Sequence, residues 1–522
     1  MKNKLQRLLV ISLLFICVCF AAYQFFDSMI ILTIFAEVVS FALCGYLILI
    51  DKRPATSKFA WLSAILFFPY IGILLFFLVG GKPSFRRFSP IQKRNEQLLH
   101  QYMSQLLNDH PEIINEPYAI SKELTYLSGN ESLRGNQLTH LADGEKAYQE
   151  LLIDLQNAKH HIHLMYFIYK ADETGRELAD ILIAKAKQGV KVRFIYDSVG
   201  SIKLPFEFIS KLKEAGVLVR TYDLVNSPSL STRINWRNHR KMVIIDGQIA
   251  HMGGMNLGNE YRSRTDKFNY WRDTNLKILG PSTIYVQYAF LLDWLFLNED
   301  EQGLLPFFNE PQNYFPLEKN SSEEQTEICQ IIFGGPYDSE RILKDSIMEL
   351  FGKAKKTIQI ASPYFVPDEE SLSVIRRAAR CGLKVQLIIP GKGDRAISYY
   401  GNHSFVDRLL SAGVEVYAYD AESFLHCKYL IVDGLVASIG STNFDIRSFH
   451  LNHEISAFIY GPSPMVSEIQ AQFEEDVRRS ERLSNKSQKK RRAMTIVKER
   501  FCLLYTSPSP RDYAASRMPS SA

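Results

Sequence analysis

His239-Arg-Lys241-Met-Val-Ile-Ile-Asp246, followed by Gly253-Gly254-Met-Asn256, decides the reading of this chain. The same pattern returns as His426-Cys-Lys428-Tyr-Leu-Ile-Val-Asp433, followed by Gly440-Ser441-Thr-Asn443. In both copies His to Lys is two residues, Lys to Asp five and Asp to Asn ten. Residues two apart on a strand point to one face, so each copy turns an imidazole and an ammonium toward one pocket. Such a pair fits a phosphate. Lys and Asn supply positive charge and donors for phosphoryl oxygens, while His can attack phosphorus or protonate a leaving oxygen. One copy alone would read as a basic strand with a satisfied histidine. Two with identical spacing inside a repeat read as a phosphoryl site. Carboxylate-rich metal spacings are missing from the sequence and the lysines can carry the charge, so neither a metal nor a cofactor is expected.

The repeat extends outward from the motifs. Ala158-Lys-His-His-Ile-His-Leu leads through Tyr166-Phe167 to Lys187-Gln-Gly-Val-Lys-Val-Arg-Phe-Ile-Tyr-Asp. Its counterpart runs from Ala354-Lys-Lys-Thr-Ile-Gln-Ile through Tyr364-Phe365 to Arg380-Cys-Gly-Leu-Lys-Val-Gln-Leu-Ile-Ile-Pro. A further helix, Gly and strand at Leu212 to Asp223 match those at Leu409 to Asp420. Strands alternating with amphipathic helices predict an α/β architecture in two tandem sandwich domains, 118–308 and 328–482. The Pro- and Asn-rich stretch 309–327 reads as the linker between them.

Upstream, three apolar stretches fill 8–26, 29–50 and 59–80, each close to the ~20 residues that cross a bilayer. Pro69 and Gly72 interrupt the third, which leaves an interfacial hairpin as the competing reading; both residues are tolerated in membrane helices, and a third span is expected. Residues 1–80 are therefore expected to form a multi-pass cell-membrane region, followed by a basic juxtamembrane linker over 81–117. Topology conflicts with itself. Lys52, Arg53 and Lys58 precede the third stretch, and Lys82, Arg86, Arg87, Lys93 and Arg94 follow it, so one span between them violates the positive-inside rule. The later, larger cluster favours a cytoplasmic catalytic region with the N-terminus outside.

The 522 residues are 46% hydrophobic and 22% charged, which excludes a disordered or fibrous chain. A net charge of +5 from 61 basic and 56 acidic residues is too even to announce a nucleic-acid partner. Seven cysteines show neither disulfide-framework nor zinc spacing. His161 and His163 share a strand face without a fourth ligand, His251 reads as a packing residue in a loop, and Cys427 should turn away from the pocket. The basic run Lys486 to Arg492 reads as a solvated tail. The closing stretch from Cys502 lacks periodicity, reads as a translated adapter, and is set aside from fold reasoning.

The duplicated His-x-Lys-x4-Asp motif with its downstream Gly-x-x-Asn resembles the phospholipase D superfamily, over roughly 118–480. Longer strings, Asp51-Lys-Arg-Pro-Ala-Thr-Ser-Lys-Phe-Ala-Trp-Leu, Phe68-Pro-Tyr-Ile-Gly, Trp271-Arg-Asp-Thr-Asn and Ser441-Thr-Asn-Phe-Asp-Ile-Arg-Ser-Phe, are similar to its bacterial membrane phosphatidyltransferases. The resemblance implies two α/β/α sandwiches related by a pseudo-twofold axis, with one active site between them. It implies a reaction in which two phosphatidylglycerol molecules become cardiolipin and glycerol through a phosphatidyl-histidine. A phospholipase D-type hydrolase of phosphodiesters is the alternative.

By the same resemblance His239 and His426 are nucleophile and general acid, Lys241 and Lys428 phosphate clamps, and Asn256, Asn443 and Ser441 phosphate ligands. Asp246 and Asp433 complete the catalytic motifs and are expected to orient them. Asp273 and Glu454 are candidates to hold each histidine in the right tautomer. Anionic membrane lipid is the expected partner. Gly254 departs from the pattern by replacing the serine that Ser441 supplies in the second copy.

Overall fold

The computed structural model describes residues 29–51, 55–79, 90–222, 236–297, 307, 309–317, 327–336, 340–485, 494–495, 497–499 and 502. The chain divides into two compact units, and the second comprises Phe88–Tyr222 with Arg237–Ser507.

The first unit is helical: α1 (Met29–Leu49), α2 (Ala55–Phe67) and α3 (Pro69–Val79). Among the described residues no helix is long and apolar enough to cross a membrane. The expected span 8–26 lies outside the described residues. The stretch 29–50 forms α1. The stretch 59–80 is not one helix. Pro69 has no N–H to continue the ladder, so α2 ends at Phe67 and α3 restarts with the proline in its first turn, where the missing donor costs nothing. Ala36, Cys44 and Leu47 of α1 pack on Trp61, Ile65, Ile73 and Phe76.

The expected linker 81–117 contains a 20-residue helix, α4 (Pro90–Asp109). Gln92 anchors it by donating from Nε2 to the Phe296 carbonyl at 2.9 Å.

The second unit is built twice over. Its first half carries β1 (Leu133–Leu141), β2 (His161–Tyr166), β3 (Lys191–Asp197), β4 (Leu218–Tyr222), β5 (Arg237–Asn238), β6 (Met242–Ile245), β7 (Ile249–Gly253), β8 (Trp271–Arg272) and β9 (Asn275–Leu279). The second half opens with β10 (Glu327–Gly334), β11 (Thr357–Ala361), β12 (Phe365–Val366), β13 (Lys384–Pro390) and β14 (Glu415–Tyr419). It continues with β15 (Phe424–Leu425), β16 (Tyr429–Val432), β17 (Val436–Gly440), β18 (Phe444–Asp445), β19 (Asn452–Tyr460) and β20 (Ser480–Arg482).

Parallel β2-β3-β4 in the first half matches parallel β11-β13-β14 in the second, and the motif hairpins β6-β7 and β16-β17 lie antiparallel beside them. The residues of β2 and β16 are all buried, as expected of strands covered on both faces. Each half has its own core: Leu164, Leu178, Phe194 and Leu212 lie in the first, Ile360, Leu372, Leu387 and Leu409 in the second. Asp172 and Asp368, six and four residues after the tyrosine of Tyr-Phe, cap the next helix by accepting from Gly175 N and Ser371 N.

The halves are not separate sheets. β1 pairs antiparallel with β10, joining them into a sheet of 16 strands among the described residues. The proposed linker region holds a short helix, Pro311–Tyr314, whose Tyr314 is buried against His161 and His163.

Candidate active site

Two pieces of strand bring the motifs together. β5 runs parallel to the start of β19, with Asn238 beside His453; β15 runs parallel to β8, with Leu425 beside Arg272. The next residue on each strand is the one that matters. His239 N donates to the His453 carbonyl at 3.0 Å, setting His239 against Glu454, and His426 N donates to the Arg272 carbonyl at 2.7 Å, setting His426 against Asp273. The pairing is crosswise: each histidine meets a carboxylate from the other half.

His239 Nδ1 lies 3.0 and 3.1 Å from the Glu454 carboxylate oxygens, and His426 Nδ1 lies 2.6 Å from Asp273 Oδ2. A carboxylate only accepts, so both rings donate from Nδ1 and keep Nε2 for chemistry. Glu454 also accepts from Ser441 Oγ, from Ser448 Oγ at 2.8 Å and from Asn452 Nδ2 at 3.3 Å. Asp273 Oδ1 accepts from Thr274 N at 2.8 Å. Both carboxylates are fully buried. Burial raises their pKa values, but His239 and Lys241 outweigh it at Glu454, and His426 and Lys428 at Asp273, so both stay below the usual range.

The imidazoles are pushed the other way. Burial, with Lys241 and Lys428 nearby, holds His239 down at about 4 in spite of Glu454. Burial and Lys428 lower His426 in spite of Asp273. Burial also lowers both lysines. Lys241 Nζ donates to its own motif's His239 carbonyl at 2.5 Å, and Lys428 Nζ lies 3.0 and 3.2 Å from the two ring nitrogens of His426. The expected shared face is therefore present, with one difference: His239 to Lys241 and His426 to Lys428 lie in the extended segments that join short strands, not within a strand.

Asp246 and Asp433 do not join this cluster. Each sits at the far end of its motif strand with positive φ, +52° and +56°. Asp246 accepts from the backbone N–H groups of Lys159, His160 and His161 at 2.8 to 2.9 Å, and Asp433 from those of Lys355, Lys356 and Thr357 at 2.7 to 2.8 Å. They pin each motif to the first strand of its repeat.

The asparagines differ from one another. Asn256 is occupied, accepting from Ile168 N and donating to the Tyr261 hydroxyl. Asn443 has a buried Oδ1 with no hydrogen-bond partner among the described residues. Gly254 has a reason: a Cβ there would lie 2.3 Å from Asp273 Oδ1 and 3.2 Å from Lys428 Cδ.

Sequence reasoning missed Ser448 and Asn452 around Glu454, although Asn452 stands two residues before it, the same-face spacing on β19. It also missed the rings around His426: Trp271, Tyr261, Phe424 and Tyr364, with centroids 5.5 to 6.5 Å away. Phe167 faces His239 at 4.9 Å. Away from the site, His163 bridges Gln287 and Arg193, and Cys427 is buried. His251 lies on β7 instead of in a loop, 2.6 Å from Asp154.

Comparisons with known proteins show what the chain is similar to. A family described as "Cardiolipin synthase, PLD-like domain" matches residues 151–275 and 347–477, and "Phospholipase_D-nuclease N-terminal" matches 38–81. The chain is 36% identical over 469 residues to cardiolipin synthase 1 of Bacillus cereus, covering 88% of this chain and 90% of that one. It is 35% identical over 458 residues to the major cardiolipin synthase of Bacillus subtilis, covering 86% and 93%. Among solved structures, phosphatidylserine synthase of Haemophilus influenzae shares the fold with a TM-score of 0.57 at 15% identity, over 74% of this chain and 99% of that one.

Proposed function

The chain belongs to the cardiolipin synthases of the phospholipase D superfamily, and from that premise we propose that it condenses two phosphatidylglycerol molecules into cardiolipin and glycerol. His239 Nε2 attacks the phosphorus of the first phosphatidylglycerol, and the bond to its headgroup glycerol breaks. His426 gives that glycerol its proton. The neutral His426 then takes the proton from a headgroup hydroxyl of the second phosphatidylglycerol, whose oxygen displaces His239 and releases cardiolipin. Lys241 and Lys428 hold the phosphoryl oxygens, with Ser441, Asn256 and Asn443 around them, and Asp246 and Asp433 fix the motifs from behind.

The crosswise pair of Nδ1-bound imidazoles carries this reading. It offers two Nε2 atoms in one buried site beside Lys241 and Lys428, and the low pKa of His239 keeps it unprotonated at neutral pH, as a nucleophile must be. A bound phosphodiester would add negative charge and raise the protonated fraction of His426. Residues 118–308 and 328–482 serve as the two phospholipase D-like domains.

The N-terminal unit embeds the protein in the cell membrane, with the catalytic unit in the cytoplasm. Support comes from the apolar side chains that α1 to α3 leave outside, Phe41, Leu49, Phe59, Phe67 and Ile71 among them, a surface that water does not favour.

Mass spectrometry of lipids from a host lacking cardiolipin tests the reaction. A new four-chain phospholipid with released glycerol is expected; phosphatidic acid with free glycerol would instead identify a hydrolase.

A further inference from the structure

We propose that α2 and α3 form a re-entrant hairpin that enters the membrane and leaves by the same face. The inference rests on the membrane-embedded reading above. At 1.5 Å per residue, the 13 residues of α2 and 11 of α3 extend only about 20 and about 17 Å, against ~30 Å of hydrocarbon. The two helices turn back on each other at Phe68. Trp61, two turns before the break, meets Phe76, two turns after it, edge to face at 5.4 Å. Gly72 lets the backbones approach, since a Cβ there would come within 2.3 Å of the Ala64 carbonyl oxygen.

Depth is also marked. Lys58 Nζ donates to the Ile48 carbonyl at 3.3 Å, placing the entry of the hairpin at the C-terminal end of α1, and the Tyr70 hydroxyl meets Thr33 Oγ1 at 2.9 Å, placing the tip beside the other end. No charged residue occurs from Phe59 to Gly81. The tip residues Phe67, Phe68, Tyr70 and Ile71 are exposed and suit acyl chains. The turn is economical with donors, because Pro69 has none, Phe68 N bonds Ala64 O at 3.1 Å and Gly72 N bonds Phe68 O at 2.6 Å.

Charge supplies an independent argument. Lys52, Arg53 and Lys58 flank the hairpin on one side, and Lys82, Arg86 and Arg87 on the other. A span would put these clusters on opposite faces, against the positive-inside rule. A re-entrant hairpin puts both in the same anionic headgroup layer, which removes the conflict in the sequence.

The test uses the full-length protein in right-side-out and inverted membrane vesicles. An impermeant amine reagent, read by peptide mass spectrometry, is expected to label Lys58 and Lys82 of the unaltered chain from the same side. Impermeant maleimide should behave likewise at Ser57→Cys and Ser84→Cys, and should label Ile71→Cys from neither side. Labelling of the two flanks from opposite sides, or of Ile71→Cys from the far face, would overturn the hairpin. Release of the chain by carbonate would instead remove the membrane reading beneath it, and neither result bears on which lipid is made.

Discussion

The two halves of the active site carry the same motif at the same spacing, yet their histidines live in different surroundings. His239 leans on Glu454, which three other side chains hold from the far side; His426 leans on Asp273, which has one backbone donor. The difference in carboxylate length explains the departure at Gly254. Aspartate, one methylene shorter, draws its half close enough to exclude any side chain at 254, whereas the longer glutamate leaves room for Ser441 and uses its hydroxyl. Aromatic rings crowd His426, while Lys428 stands against its ring nitrogens. A duplicated motif therefore does not imply duplicated roles.

The largest effect should come from the histidines themselves. His239→Ala and His426→Ala are each expected to lower turnover by roughly 10³-fold or more. With labelled phosphatidylglycerol, His426→Ala should still form a slow, acid-labile adduct and His239→Ala none. An adduct mapped to His426 would invert the assignment.

Next come the carboxylates. Glu454→Gln and Asp273→Asn should each cost roughly 10- to 100-fold in kcat, as lost partners of reacting histidines do, with little change in KM. Glu454→Gln should be the worse, because its new amide group faces the donors Ser441, Ser448 and Asn452. Equal losses would mean that the extra support is idle.

Exchanging the small residues probes the same asymmetry more gently. Gly254→Ser should destabilise the protein by about 1–3 kcal/mol through crowding of Asp273, and Ser441→Gly by less, about 1 kcal/mol, through loss of the hydroxyl that donates to Glu454 and accepts from Ile455 N. Melting in detergent measures both, and the reverse order would sink the carboxylate-length explanation.

The last test reads pH dependence. The folded-state pKa of His239, about 4, lies below its unfolded value of ~6.5. The unfolded chain binds the extra proton between these values, so stability is lost as pH falls from ~6.5 toward 4, at up to about 1.4 kcal/mol per pH unit. His239→Gln should flatten that acid slope; an unchanged slope would show that the ring is not held neutral by burial.

Much of the molecule was legible in its residues. The repeat, the α/β class and both motifs follow from periodicity and spacing, and Asp273 and Glu454 were identifiable as partners for the histidines. Which carboxylate serves which histidine was not, because it depends on β5 pairing with β19 and β15 with β8, contacts that no local pattern encodes. The same limit applies to the third apolar stretch. Hydropathy measures length along the chain and cannot register that Pro69 folds that length in two. The sharing of one sheet through β1 and β10 was likewise hidden, since an edge strand reads the same whether or not another strand covers it.

The crosswise pairing has a consequence in time. Glu454 is made 215 residues after His239, so at translation rates of ~5–20 residues per second the nascent chain carries His239 for roughly 10–40 s before its partner exists. During that interval His239 lacks the carboxylate that its ring will meet. Synthesis of β19 supplies that carboxylate.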